Sequence, residues 1–165
     1  MGRTPAIAGV ILFALSTSAV GAPAVNAFAP AQAQAPTPMV DVSRELMEAA
    51  RLMEQKDWRG ALVELKAALR KERRNPDVYN LMGYCYRKSG QLDDALDSYR
   101  VALRLDPRHR IAHEYIGEAY LNNREPDKAR QHLAALRELC GVNCEEYRDL
   151  SKALTDYQSA VTAVK

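Results

Sequence analysis

Recognisable catalytic patterns are what this sequence lacks. Its 165 residues contain no Gly-x-Ser-x-Gly elbow, no His-Glu-x-x-His pair and no glycine-rich phosphate loop. The local patterns of an acyl-transfer nucleophile, a zinc hydrolase and a nucleotide site are therefore all missing. Cysteine and histidine number three each. No Cys-x-x-Cys occurs, and no histidine follows Cys140 and Cys144 as haem attachment would need. Net charge is nearly absent as well. The 23 Lys and Arg against 21 Asp and Glu leave +2, which excludes the dense basic face that nucleic acid demands. These absences point away from an enzyme, a cofactor or a metal centre.

Charge is also absent locally, because residues 1–39 hold one charged side chain, Arg3. Met1-Gly2-Arg3 forms a short positive start, Ala6 to Leu15 is an unbroken apolar-or-small run, and small residues follow. A ten-residue helix rises about 15 Å, half of a roughly 30 Å hydrocarbon core, so the run reads as a signal peptide at 1–27. Cleavage is expected after Ala27 or Ala33, giving a periplasmic or secreted protein with no membrane association once the signal is removed. The alternative is a retained N-terminal anchor. Residues 28–39 (FAPAQAQAPTPM) carry no charge and no apolar stripe, and read as an Ala/Gln/Pro linker.

What is present is a repeat. Ala49, Gly83 and Gly117 are 34 residues apart, as are Leu52, Tyr86 and Tyr120; Ala61, Ala95 and Ala129; and Leu65, Tyr99 and Leu133. Columns alternating small and large at one period describe a helix–turn–helix unit whose small residues let helices approach while the large ones fill the space. Local signals agree. Gly90 after Arg87-Lys88-Ser89 suits a helix C-terminus, Pro126-Asp127 suits a helix first turn, and Pro107 ends the helix before it.

The segment resembles three tetratricopeptide repeats, at 42–75, 76–109 and 110–143. Tyr79, Met82, Gly83, Tyr86, Gly90, Leu92, Ala95, Tyr99, Ala102, Leu103 and Pro107 stand on the signature positions of the middle copy. The resemblance implies an all-α fold, an α-solenoid. Departures mark the outer copies. Glu45 and Glu48 replace bulky apolar residues, Arg124 replaces the turn glycine, and Leu136 replaces an alanine. Terminal repeats are atypical because one face has no neighbour. Beyond them, residues 144–163 place Tyr147, Leu150, Leu154, Tyr157 and Val161 at helical spacing, as a C-terminal capping helix would.

Three groups of residues are candidates for chemistry. Cys140 and Cys144 flank a Gly141-Val142-Asn143 turn. In an oxidising compartment they would form a disulfide that fixes the angle of the cap; reduced structural thiols, or a thiol-redox or metallochaperone site, are the alternatives. Cys85, between two tyrosines, reads as a small buried hydrophobe. His109 and His113 share a helix face at the minimal spacing for two metal ligands, but they also fit as packing or surface residues, and His132 stands alone.

The resemblance implies a concave groove, lined by the first helix of each repeat, that holds a partner's peptide or helix. Matching positions are Asn80, Tyr84, Arg87 and Lys88 in repeat two, and Glu114, Glu118 and Asn122 in repeat three. They offer a mixed-charge surface with an aromatic anchor; the alternative is solvated helix faces paired among themselves. One subfamily clamps a chaperone's C-terminal carboxylate with Lys, Asn and Arg. Here those positions hold Leu46, Ala50, Leu81, Ile111 and Tyr115, so that clamp is missing. The expectation is a non-enzymatic protein-interaction module of the cell envelope, assisting assembly of an envelope complex.

Overall fold

The computed structural model describes residues 43–163; the expected signal peptide and linker lie outside them. Seven helices and no strand occur among the described residues: α1 Ser43–Glu54, α2 Trp58–Lys71, α3 Pro76–Lys88, α4 Leu92–Leu105, α5 Arg110–Asn122, α6 Pro126–Cys140 and α7 Glu145–Ala163. None is long and apolar enough to cross a membrane. Each of the three repeats contributes an antiparallel pair, α1 on α2, α3 on α4 and α5 on α6. Successive pairs stack through α2 on α3 and α4 on α5, and α7 closes against both α5 and α6.

The turns inside the repeats share one geometry. After each first helix one residue takes the left-handed conformation, Lys56 at φ 60°, Gly90 at φ 79° and Arg124 at φ 59°. The next amide donates back across the helix end, Asp57 to Leu52 O at 2.9 Å, Gln91 to Tyr86 O at 2.9 Å and Glu125 to Tyr120 O at 2.8 Å. Three orphaned carbonyls are thereby satisfied in the same way. Only the middle turn uses glycine, where this conformation carries no steric cost. Side chains cap α2, α3 and α5, as the amides of Gly60, Val78 and Ala112 donate to Asp57, Asn75 and His109.

Small residues set how closely the helices approach. A Cβ built on Gly83 would lie 2.6 Å from the ring of Tyr99, which α4 presents with no exposure. On Gly117 it would lie 2.6 Å from Leu150 of α7. The small residue of repeat three thus receives the cap helix. Two apolar clusters result, one joining Ala49, Leu65, Val78 and Cys85, the other joining Tyr99, Ile116, Leu136 and Leu150. Leu136, in place of an alanine, is fully buried.

One departure is explained and one expectation is corrected. Glu45, which stands where a bulky apolar residue was expected, is itself buried. It is 2% exposed and paired with Lys71 Nζ at 2.9 Å and Arg44 at 2.9 Å. Val161 leaves the apolar stripe and is exposed. With 19 residues against 13 in α5, α7 outruns its neighbour by about 9 Å at the usual rise, so its last turns have nothing to pack on.

Candidate functional site

On α3, Leu81, Tyr84 and Lys88 recur at three- and four-residue intervals and share one face. Tyr84 is its centre. Its ring meets Trp58 edge-on at 6.0 Å and Tyr115 of α5 at 5.4 Å, and Tyr115 meets Tyr99 at 6.3 Å. A pocket of about 410 Å³ opens beside it, lined by Ala50, Met53 and Glu54 of α1, Leu81 and Tyr84 of α3, and Tyr115 of α5. Five of these six side chains are apolar or aromatic, so the pocket suits a buried apolar anchor.

Arg87 lies against two of the tyrosines of the pocket. Its guanidinium sits 5.7 Å from the Tyr84 ring centre and 5.6 Å from that of Tyr115, and it pairs with Glu118 at 2.7 Å with only 12% of its side chain exposed. The guanidinium is thus engaged on both sides, so the mixed-charge surface expected from Arg87 and Glu118 is in part an internal pair. Lys88 remains exposed, its ammonium 5.3 Å over Tyr84. Asn80 departs further from expectation. It is 4% exposed, with Oδ1 lacking a hydrogen bond. It lies on the side of α3 that also carries Gly83, which packs against Tyr99 of α4 in the same repeat.

Beyond Arg87 the surface turns acidic. Glu114 is half-buried and makes no hydrogen bond or ion pair among the described residues. Burial, then the nearby carboxylates of Glu118, Asp149 and Glu146, push its carboxyl up to about 7, partly offset by Arg87. Asn122 is exposed and lines a second hollow of about 300 Å³ with Arg87, Glu118, Leu121 and three α7 residues, Ala153, Asp156 and Tyr157.

Sequence reasoning missed the role of Leu81, Ala50 and Tyr115, although they were visible as apolar residues at positions a carboxylate clamp would fill. It also missed that α7 supplies wall as well as cap.

The histidines pair differently from the expected spacing. His109 caps α5 through Nδ1 and meets Asp77 through Nε2 at 3.0 Å, buried at 8% exposure. His113 instead meets His132, Nδ1 to Nδ1 at 2.9 Å, while its Nε2 contacts Pro107 O at 3.1 Å. Burial lowers the pKa of both and takes His132 down to about 4. Cys85 is fully buried, and burial raises its thiol to about 11, which leaves it inert at neutral pH. Cys140 and Cys144 are joined across the α6–α7 turn, with Cα atoms 5.9 Å apart. Their sulfurs and the Glu146 carboxylate lie within 4.8 Å of one another.

Known proteins share this architecture. The TPR2B domain of yeast Sti1, in a complex with pHsp70, superposes with TM-score 0.67 at 16% identity, covering 72% of this chain and 97% of that one. The Sgt2 TPR domain from Aspergillus fumigatus gives 0.66 at 20% identity, covering 79% and 83%. The Yersinia enterocolitica type III secretion chaperone SycD, in complex with a peptide of the translocator YopD, gives 0.61 at 20% identity, covering 73% and 91%. In sequence, anaphase-promoting complex subunit 3 of Dictyostelium discoideum is 38% identical over 61 residues, 37% of this chain and only 6% of that protein's length. The sequence profile described as tetratricopeptide repeat matches residues 46–109 and 86–141. With more than half of its length matched and its repeats folded as such, the chain belongs to the tetratricopeptide repeat family.

Proposed function

We propose that this chain is a non-enzymatic module that grips a peptide or helix of a partner protein in its concave groove. The observation that carries the reading is the aromatic pocket between α1, α3 and α5, lined by Leu81, Tyr84 and Tyr115 among others. Family neighbours support it. SycD was crystallised in complex with a peptide of the translocator YopD, and the Sti1 domain is described in a complex with pHsp70. The missing carboxylate clamp directs the groove away from an acidic chaperone tail.

We place this activity in the cell envelope, on the Arg3-led apolar leader, with the mature chain assisting assembly of an envelope complex. In that compartment Cys140 and Cys144 serve as a lasting clamp on the cap helix. The second reading, thiol-redox or metal-carrier chemistry at Cys140 and Cys144, draws on the nearness of Glu146. N-terminal sequencing of the exported form checks the leader.

For the groove, the immobilised chain and its Tyr84→Ala variant are compared for what they retain from envelope extracts. The expected outcome is loss of specific bands with the variant, at a melting temperature changed by a few degrees. Identical retention by both proteins refutes the reading.

A further inference from the structure

The pocket and the acidic wall beside it together specify an occupant. Leu81, Tyr84 and Tyr115 offer an apolar recess, and Glu114 is next to Tyr115 in α5. Around Glu114 stand Arg87 of α3, Glu118 of its own helix, and Glu146 and Asp149 of α7. Arg87 is taken by Glu118 at 2.7 Å, and Glu146 has Arg110 at 3.4 Å. Among the described residues Glu114 and Asp149 have no ion-pair partner, Asp149 feeling only the charge of Lys152 on its own helix, so four carboxylates face two arginines that are already engaged.

We propose that the groove recognises a segment carrying an apolar residue beside a lysine or arginine, the apolar side chain entering the recess and the cation settling against Glu114. This rests on the groove reading above and adds the chemistry of the partner. An acidic segment could reach Lys88 over Tyr84, but beside Glu114 it would bring a further carboxylate to a place whose two arginines are already engaged, and would find no clamp to receive it. A cation instead satisfies a half-buried carboxyl and relieves its repulsion from Glu118, Glu146 and Asp149. The Glu114 carboxyl is raised to about 7 by burial first and by this crowding second, and a bound cation pulls it back down. Binding at pH 7 therefore releases up to about half a proton per site.

The test uses three labelled peptides of one repeating pattern, Leu with Lys, Leu with Glu, and Ser with Lys, titrated into the full chain at physiological salt. The Leu–Lys peptide is expected to bind about tenfold or more tightly than either other peptide. Glu114→Gln is expected to shrink the preference for Lys over Glu about fivefold while the melting temperature changes little. Calorimetry in buffers of different ionisation enthalpy should register proton release at pH 7 from the parent chain and none from the variant. Equal binding of Leu–Lys and Leu–Glu, both weakened by Tyr84→Ala, overturns the charge preference and leaves the groove standing. Binding of all three that Tyr84→Ala does not weaken overturns the groove as well.

Discussion

Replacing Gly83 by alanine tests the packing account where two opposing effects can be weighed. In a helix interior the change should stabilise by about 1 kcal/mol on propensity alone. Here the new methyl would lie 2.6 Å from the Tyr99 ring, which is fully buried and cannot swing into solvent. Overpacking of this kind costs roughly 1–3 kcal/mol. The net expectation is a loss of about 0–2 kcal/mol, or up to roughly 8 °C in melting temperature for a domain of this size.

Repeat one shows how the strain is relieved. At the same two columns it carries Ala49 and Leu65, both fully buried, in place of Gly83 and Tyr99. Tyr99→Leu alone leaves a void and should cost about 1–3 kcal/mol. The Gly83→Ala/Tyr99→Leu double variant should be more stable than the sum of the singles by about 1 kcal/mol, because each change fits the other. Urea denaturation of the four proteins supplies the cycle. A Gly83→Ala variant more stable than the parent, or a double variant additive within about 0.3 kcal/mol, refutes the reasoning.

Three further outcomes follow from the same structure. His132 is depressed to about 4 and His113 is lowered too, so both are neutral when folded but titrate near 6.5 when unfolded; the stability they preserve is complete above about 6.5 and is lost as pH falls toward 4. Glu114, raised to about 7, works the opposite way over the same range, so the check is a difference between proteins: between pH 7.5 and 5 the parent should lose about 2 kcal/mol more unfolding free energy than His132→Phe, measured by urea titration. Alkylation without reductant should label no thiol in the native oxidised protein and one, Cys85, after denaturation; labelling of Cys140 and Cys144 would contradict the clamp. Lys56→Gly and Arg124→Gly remove side chains from left-handed positions and should each raise stability by about 0.5–1 kcal/mol, measured by thermal melts.

Much of this architecture was legible because the repeat is written twice, in its columns and in its punctuation. Pro76 and Pro126 open α3 and α6, and Asp106, just before Pro107, caps the end of α4. The candidate site was only partly legible. A column position fixes where along a helix a residue lies, and its angle follows from 3.6 residues per turn. Which side the next repeat covers depends on the packing angle, which no single repeat encodes. Asn80 and Tyr84 are four residues apart and were expected to share the groove, yet one is buried and the other lines the pocket. Pairings between helices, across repeats or within one, were hidden for the same reason. Arg87 and Glu118 are 31 positions apart and His113 and His132 are 19 apart, so neither pairing falls on the 34-residue period.

The groove is the central claim, and position-specific photo-crosslinking in cells addresses it most directly. A benzophenone amino acid replaces Tyr84 in the pocket in one strain and Val63 on α2, 61% exposed and outside the pocket, in another. The account predicts a discrete crosslinked species from position 84 and none from position 63. The same species at equal yield from both, or from position 63 alone, would contradict it.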